Sequence, residues 1–282
     1  MKVLLVPNYS RPQARDGAHT LAEWLEGEGV EVVWAPDKKL FPNKPAETDG
    51  VGLVVSLGGD GTLLRAARIV GYSEIPIVGL SYGHLGFLTS GGPESLIEVV
   101  SSALAGEMHA SHRATLDIAV EFDKPDGSTE VRHTFALNDL ALTHGIKGDM
   151  IEFDVSVSGH HIDRLRGDGF VIGTATGSTG YALAAGGPIV TPEFKGLVCV
   201  PVAPHSIRAR AFLTAPSDVV ELSISPDRKP ERLFFADGQP LGDSTTGERA
   251  TVRRGPGDLI LLDRSSKSFY ESVSRVFYGD NR

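Results

Sequence analysis

The stretch from Val51 to Val70 constrains the fold of this chain more than any other. An apolar run over Val51–Leu57 predicts a buried strand, and apolar residues at helical spacing over 63–70 predict a helix after it. The turn between them is Gly58-Gly59-Asp60-Gly61-Thr62. A helix that starts at the carboxyl end of a strand directs its free first-turn N–H groups beyond the strand, where anions bind. Three glycines admit a bulky phosphate and permit positive φ.

Asp60 is the carboxylate placed among these glycines. A phosphate site that also holds a carboxylate must neutralise it with a metal ion or direct it at a group that will lose a proton. The alternative is a β-turn in which Asp60 caps the helix. The turn by itself leaves the two interpretations open.

The first hundred residues alternate strand patterns with helix patterns, which predicts a parallel sheet with right-handed crossovers. The predicted strands are 3–6, 30–34, 51–57 and 75–80, and the predicted helices are 16–28, 63–70 and 94–105. A glycine-containing loop, 81–89, follows the last of these strands.

Helical periodicity nearly disappears beyond Gly106, and the short strand patterns that follow predict a mostly antiparallel β domain, sandwich-like or layered. The predicted strands are 116–122, 131–137, 140–143, 151–157, 170–173, 197–202, 219–224, 232–236, 250–253 and 259–262, with a hairpin turn at 124–128. The segment 178–185 is the one predicted helix in this part. We therefore divide the chain into an α/β domain (1–106), a β-rich domain (107–266) and a C-terminal tail (267–282) that returns to the first domain.

Composition narrows the class of protein. The chain of 282 residues is 41% hydrophobic, enough for a substantial core, and its formal net charge of -9 argues against nucleic acid or an anionic membrane as partner. Cys199 is the single cysteine, which excludes disulfides and thiolate zinc sites, and its apolar surroundings predict a buried side chain. We find no signal peptide or membrane-spanning run and expect a cytoplasmic protein.

Four segments, taken in order, resemble the NAD kinase family over most of the chain. They are Gly58–Thr62, Asn138-Asp139, Asp168–Ile189 and Asp237-Gly238. The third is the specific one, because the Gly-Gly-Asp-Gly-Thr turn also occurs in lipid kinases and has relatives in phosphofructokinases. The resemblance implies a Rossmann-like N-terminal domain, an all-β C-terminal domain and an active site in the interdomain cleft. It implies transfer of a phosphoryl group from ATP, or polyphosphate, to the 2′-hydroxyl of the adenosine ribose of NAD, giving NADP.

The resemblance also implies roles for individual residues. Asp60 would contact the 2′-hydroxyl and accept its proton. Donor phosphate would be bound by Gly58, Gly59, Gly61 and Thr62, and Mg²⁺ would be held through phosphates with no direct protein ligand. The implied NAD-binding residues are Asn138, Asp139, Asp168, Thr176, Thr179, Gly180 and Tyr181.

Each of these segments also has a simpler interpretation. Asn138-Asp139 could be a turn, and Asp139 stands where the family usually has Glu. Asp168 could pair with a nearby arginine, and 174–181 could be a Gly/Ser/Thr surface loop. Asp237-Gly238 is interpreted first as a hairpin turn, and His160-His161 as a polar turn after Gly159. Three further residues are left as possible site residues, because their patterns favour neither interpretation: Arg208, Arg210 and His84.

Two other functions share part of the pattern. A lipid kinase would need an apolar groove for acyl chains, whereas 168–189 is rich in hydroxyls and glycine. A non-catalytic NAD(P)-binding sensor would tend to lose the catalytic carboxylate, and Asp60 is present. A dehydrogenase is disfavoured, because no G-x-G-x-x-G follows a predicted strand. The resemblance further implies a homodimer or homotetramer.

Overall fold

The computed structural model describes residues 1–41, 44–83, 86–124, 126–225, 231–242, 247–266 and 268–279. The chain divides into two compact units. The first unit contains Met1–His112 and the segment from Leu259 onward, and the second unit contains Arg113–Asp258. The second unit is therefore an insertion between two segments of the first.

The helices lie mostly in the first unit. The α-helices are α1 (Pro12–Gly27), α2 (Asp60–Val70), α3 (Leu96–Leu104), α4 (Tyr181–Ala184) and α5 (Ser268–Val273). Short 3₁₀ segments cover Pro93–Ser95 and Thr176–Thr179, and a π-helical turn covers Ser274–Tyr278.

The strands of the described residues form three six-stranded sheets. They are β1 (Lys2–Pro7), β2 (Glu31–Trp34), β3 (Val51–Gly58), β4 (Ile77–Ser81), β5 (His109–Arg113), β6 (Leu116–Asp123), β7 (Thr129–Ala136), β8 (Asp139–His144), β9 (Ile151–Val157), β10 (His160–Gly167), β11 (Gly169–Gly173), β12 (Val198–Val202), β13 (Phe212–Leu213), β14 (Val219–Ile224), β15 (Arg232–Ala236), β16 (Gln239–Leu241), β17 (Gly247–Arg254) and β18 (Leu259–Asp263).

The sheet of the first unit has the order β2-β1-β3-β4-β18-β5. The pairs β1–β2, β1–β3, β3–β4 and β4–β18 are parallel, as the alternation of strands and helices predicts. Helix α1 buries Ala14, Ala18, Leu21 and Leu25 completely, which gives it one apolar face for the sheet. This packing places the carboxyl ends of the parallel strands at one edge, where α2 begins.

The second unit contains two antiparallel sheets, of order β10-β9-β14-β17-β6-β7 and β13-β12-β11-β8-β15-β16. Their facing side chains form one core; Phe153 of the first of these sheets and Phe170 of the second meet edge to face, with ring centroids 5.9 Å apart. The opposite face of the second sheet is also buried, by a cluster that includes Ala175, Ala182 and Val190. The predicted β sandwich is confirmed, and the segment 175–190 is packed against it.

Three local predictions are wrong. The strand predicted at 259–262 as part of the β domain is β18, which pairs parallel with β4 in the first unit. The turn predicted at His160-His161 lies at Ser158-Gly159, both with positive φ, and the histidines begin β10. The helix predicted at 178–185 is interrupted: Gly180 separates a 3₁₀ segment from α4.

Two other predictions are confirmed. A turn joins β6 to β7, where Lys124 N donates to Ser128 O at 2.8 Å; Pro125 lies outside the described residues. Cys199 is 0% exposed, and burial raises the pKa of its thiol to about 12.

Among the described helices, none has the length and apolar character needed to cross a membrane.

Candidate functional site

The Gly58–Thr62 turn lies where β3 ends and α2 begins. Gly58 is the last residue of β3, Gly59 precedes the helix, and Asp60 is its first residue. Thr62 N and Leu63 N donate to Gly59 O at 2.9 and 3.1 Å. The N–H groups of Asp60 and Gly61 have no acceptor inside the helix, as is general for a first turn, so they are available to an anion.

The expectation that the glycines of this turn have positive φ is wrong, because Gly58, Gly59 and Gly61 do not have it. A Cβ on Gly58 would lie 2.1 Å from Thr62 Oγ1, so the close approach of that side chain requires glycine. A Cβ on Gly59 or Gly61 would meet nothing within 4 Å. The turn therefore presents open backbone on the side where a ligand could approach.

Asp60 is directed at the loop that follows β4. Its carboxylate oxygens accept hydrogen bonds from Phe87 N at 3.2 Å and Leu88 N at 3.4 Å. A Cβ on Gly86 would lie 2.3 Å from both oxygens, so glycine is required there. Burial raises the pKa of Asp60 above its ordinary value, and the two backbone N–H donors oppose that shift. Each oxygen keeps a lone pair for a further donor.

A second polar cluster begins at β8 in the second unit. The Asp237 carboxylate, 7% exposed, accepts from Leu137 N at 3.0 Å, Asn138 N at 2.7 Å and Asp139 N at 3.3 Å. Asp237 and Gly238 both have positive φ and connect β15 to β16, so the predicted hairpin turn is confirmed. Its carboxylate fixes the backbone that carries Asn138 and Asp139.

Asp139 is only 6% exposed. Burial and the charge of Asp237 raise its pKa to about 7, from an ordinary value of 3.8. Because the backbone N–H groups of this cluster donate to Asp237, Asp139 has little to offset the loss of water. At neutral pH its carboxyl group is poised between its charged and neutral forms.

Asn138 lies against the small-residue loop after β11. Its carbonyl accepts from Thr174 N at 2.8 Å, and a Cβ on Gly177 would lie 2.1 Å from the same oxygen. The side-chain Oδ1 of Asn138 is buried and has no hydrogen-bond partner within the described part of the chain. A buried amide without a partner is costly, so this atom is well suited to a ligand N–H donor.

The loop 174–181 brings several predicted NAD-binding residues together. Gly180 lies beside Asn138, with 3.8 Å between its Cβ position and Asn138 Nδ2. Burial raises the pKa of Tyr181, and the charges of Asp139 and Asp168 add to the effect, so the three side chains share one electrostatic environment. Asp168 lies between β10 and β11, and its backbone bonds to both neighbouring strands of the second sheet.

The remaining predicted residues are placed less directly. Thr176 is buried, and Thr179 Oγ1 donates to its carbonyl at 3.2 Å. Arg208 and Arg210 are exposed, and Arg210 Nη1 donates to Ala209 O at 2.8 Å; the described contacts do not join either arginine to the other predicted residues. His84 lies outside the described residues.

Two family models match the chain. The ATP-NAD kinase N-terminal domain matches residues 39–108, and the ATP-NAD kinase C-terminal domain matches residues 137–263. NAD kinase of Aromatoleum aromaticum is 34% identical over 278 residues, covering 95% of this chain and 90% of that protein. NAD kinase of Gemmatimonas aurantiaca is 39% identical over 222 residues, covering 78% of this chain and 75% of that protein. The chain belongs to the NAD kinase family.

Two solved structures agree with this assignment. The crystal structure of an NAD kinase from Archaeoglobus fulgidus in complex with ATP superposes with a TM-score of 0.77, at 25% identity, covering 98% of each chain. Yeast NADH kinase complexed with NADH has a TM-score of 0.86 at 23% identity, covering 100% of this chain and 88% of that one, and supports the fold. The family resemblance and the fold class are confirmed. As a member of the NAD kinase family, the chain is a phosphotransferase. The alternative prediction of a lipid kinase is wrong.

Sequence reasoning missed two features of this NAD kinase family site. The sequence favours a turn for Asp237 and leaves a structural role open, but it does not show that the carboxylate accepts from three backbone N–H groups. Phe87 and Leu88 contact Asp60 through main-chain atoms, which leave no trace in residue type. Gly86, directly before them, is a trace that could have been used, since a glycine in a loop often marks a close approach.

The two kinds of glycine in the turn should respond differently to substitution. Gly58→Ala should lower the free energy of unfolding of the first unit by about 1–3 kcal/mol, because the new Cβ overpacks against Thr62. Gly61→Ala should leave the free energy of unfolding unchanged or raise it, because the new Cβ meets no atom and alanine favours a helix more than glycine does. Urea titration followed by tryptophan fluorescence measures this, since the two tryptophans, Trp24 and Trp34, both belong to the first unit. Equal effects of the two substitutions would contradict the geometry.

The raised pKa of Asp139 makes stability depend on pH. Since the folded state holds the proton up to about pH 7 and the unfolded state only to about 3.8, stability should fall as pH rises from about 4 to about 7. Asp139→Asn keeps a neutral group at all pH values and should stabilise the protein at pH 8 by up to about 4 kcal/mol, with no gain near pH 4. Urea titrations followed by circular dichroism measure the gain. Carboxyl ¹³C NMR that showed Asp139 titrating near 4 would refute it.

Proposed function

We propose that this chain transfers the γ-phosphoryl group of ATP to the 2′-hydroxyl of the adenosine ribose of NAD, giving NADP. The observation that carries the proposal is the position of Asp60, a largely buried carboxylate at the first residue of α2, beside the open backbone of Gly59 and Gly61. A carboxylate that can accept a proton and the N-terminus of a helix, which can bind an anion, therefore lie next to each other.

Asp60 acts on the acceptor hydroxyl. Its raised pKa makes it a better base than an ordinary aspartate, although it remains weak toward an alcohol. In phosphoryl transfer the proton can leave late, so orientation of the hydroxyl contributes most. The N–H groups of Phe87 and Leu88 fix the carboxylate, and the remaining lone pairs face the hydroxyl. Activity should fall as pH drops through the pKa of Asp60.

Donor phosphate binds at the turn. The first-turn N–H groups of Asp60 and Gly61, the open face of Gly59 and the Thr62 hydroxyl are the groups available to it. Within the described part of the chain, no group of three or more His, Cys, Asp or Glu side chains could hold a metal ion. The expected Mg²⁺ would be bound through phosphate oxygens, where it would neutralise their charge.

The acceptor NAD binds at the cluster around β8. Asn138 Oδ1, buried and without a donor among the described residues, is suited to an adenine N–H, and the Asp139 carboxyl group to a ribose hydroxyl. Tyr181, 39% exposed, provides a ring face at the rim. Thr176, Thr179 and Gly180 belong to the loop 174–181, whereas Asp168 lies at the other end of β11 and is linked to the loop only by its electrostatic effect on Tyr181. Whether the two ligands meet in an interdomain cleft remains a prediction, as do the cytoplasmic location, the homodimer or homotetramer, and roles for Arg208 and Arg210.

A nucleotide donor is favoured over polyphosphate by a cavity of about 360 Å³ in the first unit. Its lining includes the rings of Tyr9, Trp34 and Phe41 and the cations of Arg15 and Lys44. Tyr9 follows Asn8, whose Cβ lies 3.1 Å from the Cβ position of Gly58. A triphosphate bound at the turn could therefore place its base among these rings, where stacking is favourable.

The assay is formation of NADP from NAD, ATP and Mg²⁺. Asp60→Asn should lower turnover by about 10²–10⁴-fold, because the amide accepts no proton, while NAD still binds. Asp16→Asn, an exposed aspartate on α1, is the matched control and should leave turnover unchanged. No NADP with any combination of ATP, polyphosphate and divalent metal would remove the proposal. Turnover retained by Asp60→Asn would remove the role of that residue.

The base pocket can be tested by comparing donors. Trp34→Leu should raise KM for ATP about tenfold, because it removes a stacking surface, and should leave binding of tripolyphosphate, which has no base, unchanged. Trp24→Leu, the only other tryptophan, is the control and should leave the ratio of the two affinities as it is. Steady-state kinetics with ATP and competition by tripolyphosphate give both quantities. A parallel loss for both ligands would argue against a base in this pocket.

A further inference from the structure

The sheet order of the first unit brings the C-terminal segment to the loop that contacts Asp60. Strands β4 and β18 are parallel neighbours, so their carboxyl ends lie at the same edge of the sheet. The chain continues from β4 into the loop Gly86–Leu88, and from β18 into α5 and the π-helical turn Ser274–Tyr278. Segments remote in sequence therefore emerge side by side.

Side chains of the C-terminal segment hold this loop. Arg275 Nη2 donates to Gly86 O at 3.4 Å and to Ser272 Oγ at 3.1 Å. The Phe87 ring packs between Phe277, with centroids 5.9 Å apart, and Phe269, with centroids 6.4 Å apart. One polar and two aromatic contacts thus fall on the two residues next to Asp60.

The same loop holds the Asp60 carboxylate. Phe87 bears the ring that the C-terminal segment packs against and the N–H that donates to Asp60 Oδ2. Gly86 bears the carbonyl that Arg275 reaches and the Cα that lies against both carboxylate oxygens. A shift of the C-terminal segment would therefore move the groups that orient the carboxylate. A π-helical turn at this point fits such a role, since π-turns are frequent at functional sites.

We propose that the C-terminal segment 269–279 positions the Asp60 carboxylate through the loop Gly86–Leu88, with Arg275 and Phe277 as positioning residues. The inference rests on the proposed function of Asp60 and adds to it a part of the chain to which that function assigns no ligand. The segment keeps the loop N–H groups aimed at the carboxylate, so that its free lone pairs face the acceptor hydroxyl.

None of the titratable groups on the described elements around Asp60 is among the causes that shift its pKa, so none of them acts on the carboxylate directly. They are Arg65 and Arg68 on α2, Arg11 before α1, Tyr82 after β4, and Glu271 and Arg275 in the C-terminal segment. The four arginines all donate to backbone carbonyls. Arg65 donates to Pro7 O and Pro36 O, and Arg68 donates to Leu64 O. Arg11 donates to Tyr82 O, and Arg275 donates to Gly86 O. Among the described residues, the causes that shift the pKa of Asp60 are burial and the Phe87 and Leu88 N–H groups.

The test compares Arg275→Ala and Phe277→Ala with Arg264→Ala, in the full-length protein. Arg264 lies in the same part of the chain but pairs with Glu98 at 3.0 Å and does not touch the loop. Arg275→Ala and Phe277→Ala should lower kcat about tenfold with KM for NAD unchanged, because a small displacement of a catalytic group costs rate more than binding. Arg275→Lys, which keeps a cationic donor, should restore part of kcat, and Arg264→Ala should behave as wild type.

The pH profile separates positioning from simple destabilisation. The Phe87 and Leu88 N–H groups lower the pKa of Asp60, so weakening their hydrogen bonds should raise that pKa. In Arg275→Ala and Phe277→Ala, the fall of kcat on the acidic side of its pH profile should therefore occur at higher pH. A variant that loses only stability would keep the wild-type limb. An unchanged limb and an unchanged kcat, or an equal loss in Arg264→Ala, would overturn the proposal.

Hydrogen exchange supplies a readout that needs no catalysis. The amides of Phe87 and Leu88 should exchange faster in Arg275→Ala and Phe277→Ala than in Arg264→Ala, because their hydrogen bonds to Asp60 open more often. Equal protection in all variants would overturn the inference even if the wild type makes NADP. Absence of NADP from the wild type, with faster exchange in the two variants, would instead count against the proposed function alone.

Discussion

A carboxylate withdrawn from water needs N–H groups aimed at it, and this requirement fixes the functional backbone in both units. In the first unit, Asp60 accepts from two consecutive amides of the loop after β4. In the second, Asp237 accepts from three consecutive amides at the start of β8. Each carboxylate satisfies amides that no strand or helix pairs, and each thereby determines where a neighbouring chemical group stands. Each of the two loops is therefore ordered by a carboxylate that accepts from its amides.

Asp139 is a buried carboxyl group whose neighbouring backbone N–H groups already donate to another carboxylate. The amides around it donate to Asp237, whose negative charge adds to the cost of ionising Asp139. The family usually has glutamate here, and the shorter aspartate keeps its carboxyl group closer to the buried backbone. A ribose hydroxyl is both donor and acceptor, so it can bond to either form of the acid. The position therefore gives up some folded-state stability, and under the proposed function the ribose of NAD would supply the hydrogen-bond partner that the buried carboxyl group lacks among the described residues.

The sequence predicts best where burial alternates. Strands such as β6, β9 and β14 alternate buried and less buried residues, and their predicted bounds were nearly right. β18 was recognised as a strand but assigned to the wrong domain, because an apolar run carries no information about its neighbours. The predicted helix at 178–185 failed because Gly180 and contacts with the sheet decide that backbone. The sequence predicts open backbone at the turn glycines, which Gly59 and Gly61 provide, but it does not predict that Gly58 is required by the Thr62 side chain. Contacts made by main-chain atoms, as at Phe87 and Leu88, cannot be predicted from residue type.

The position of β18 has a consequence for how the site forms. It lies between β4 and β5 in the sheet, so the first unit stays incomplete until the whole inserted second unit has been synthesised. Closing that distance costs loop entropy and slows folding, but it also ties the last segment of the chain to the loop beside Asp60. A shortened chain would have the Gly58–Thr62 turn and α2, since both depend on local contacts, yet nothing beyond β4 to hold the loop against the carboxylate. The contacts that hold the loop against Asp60 are therefore the last part of the first unit to be completed, although Asp60 and the loop itself come early in the sequence.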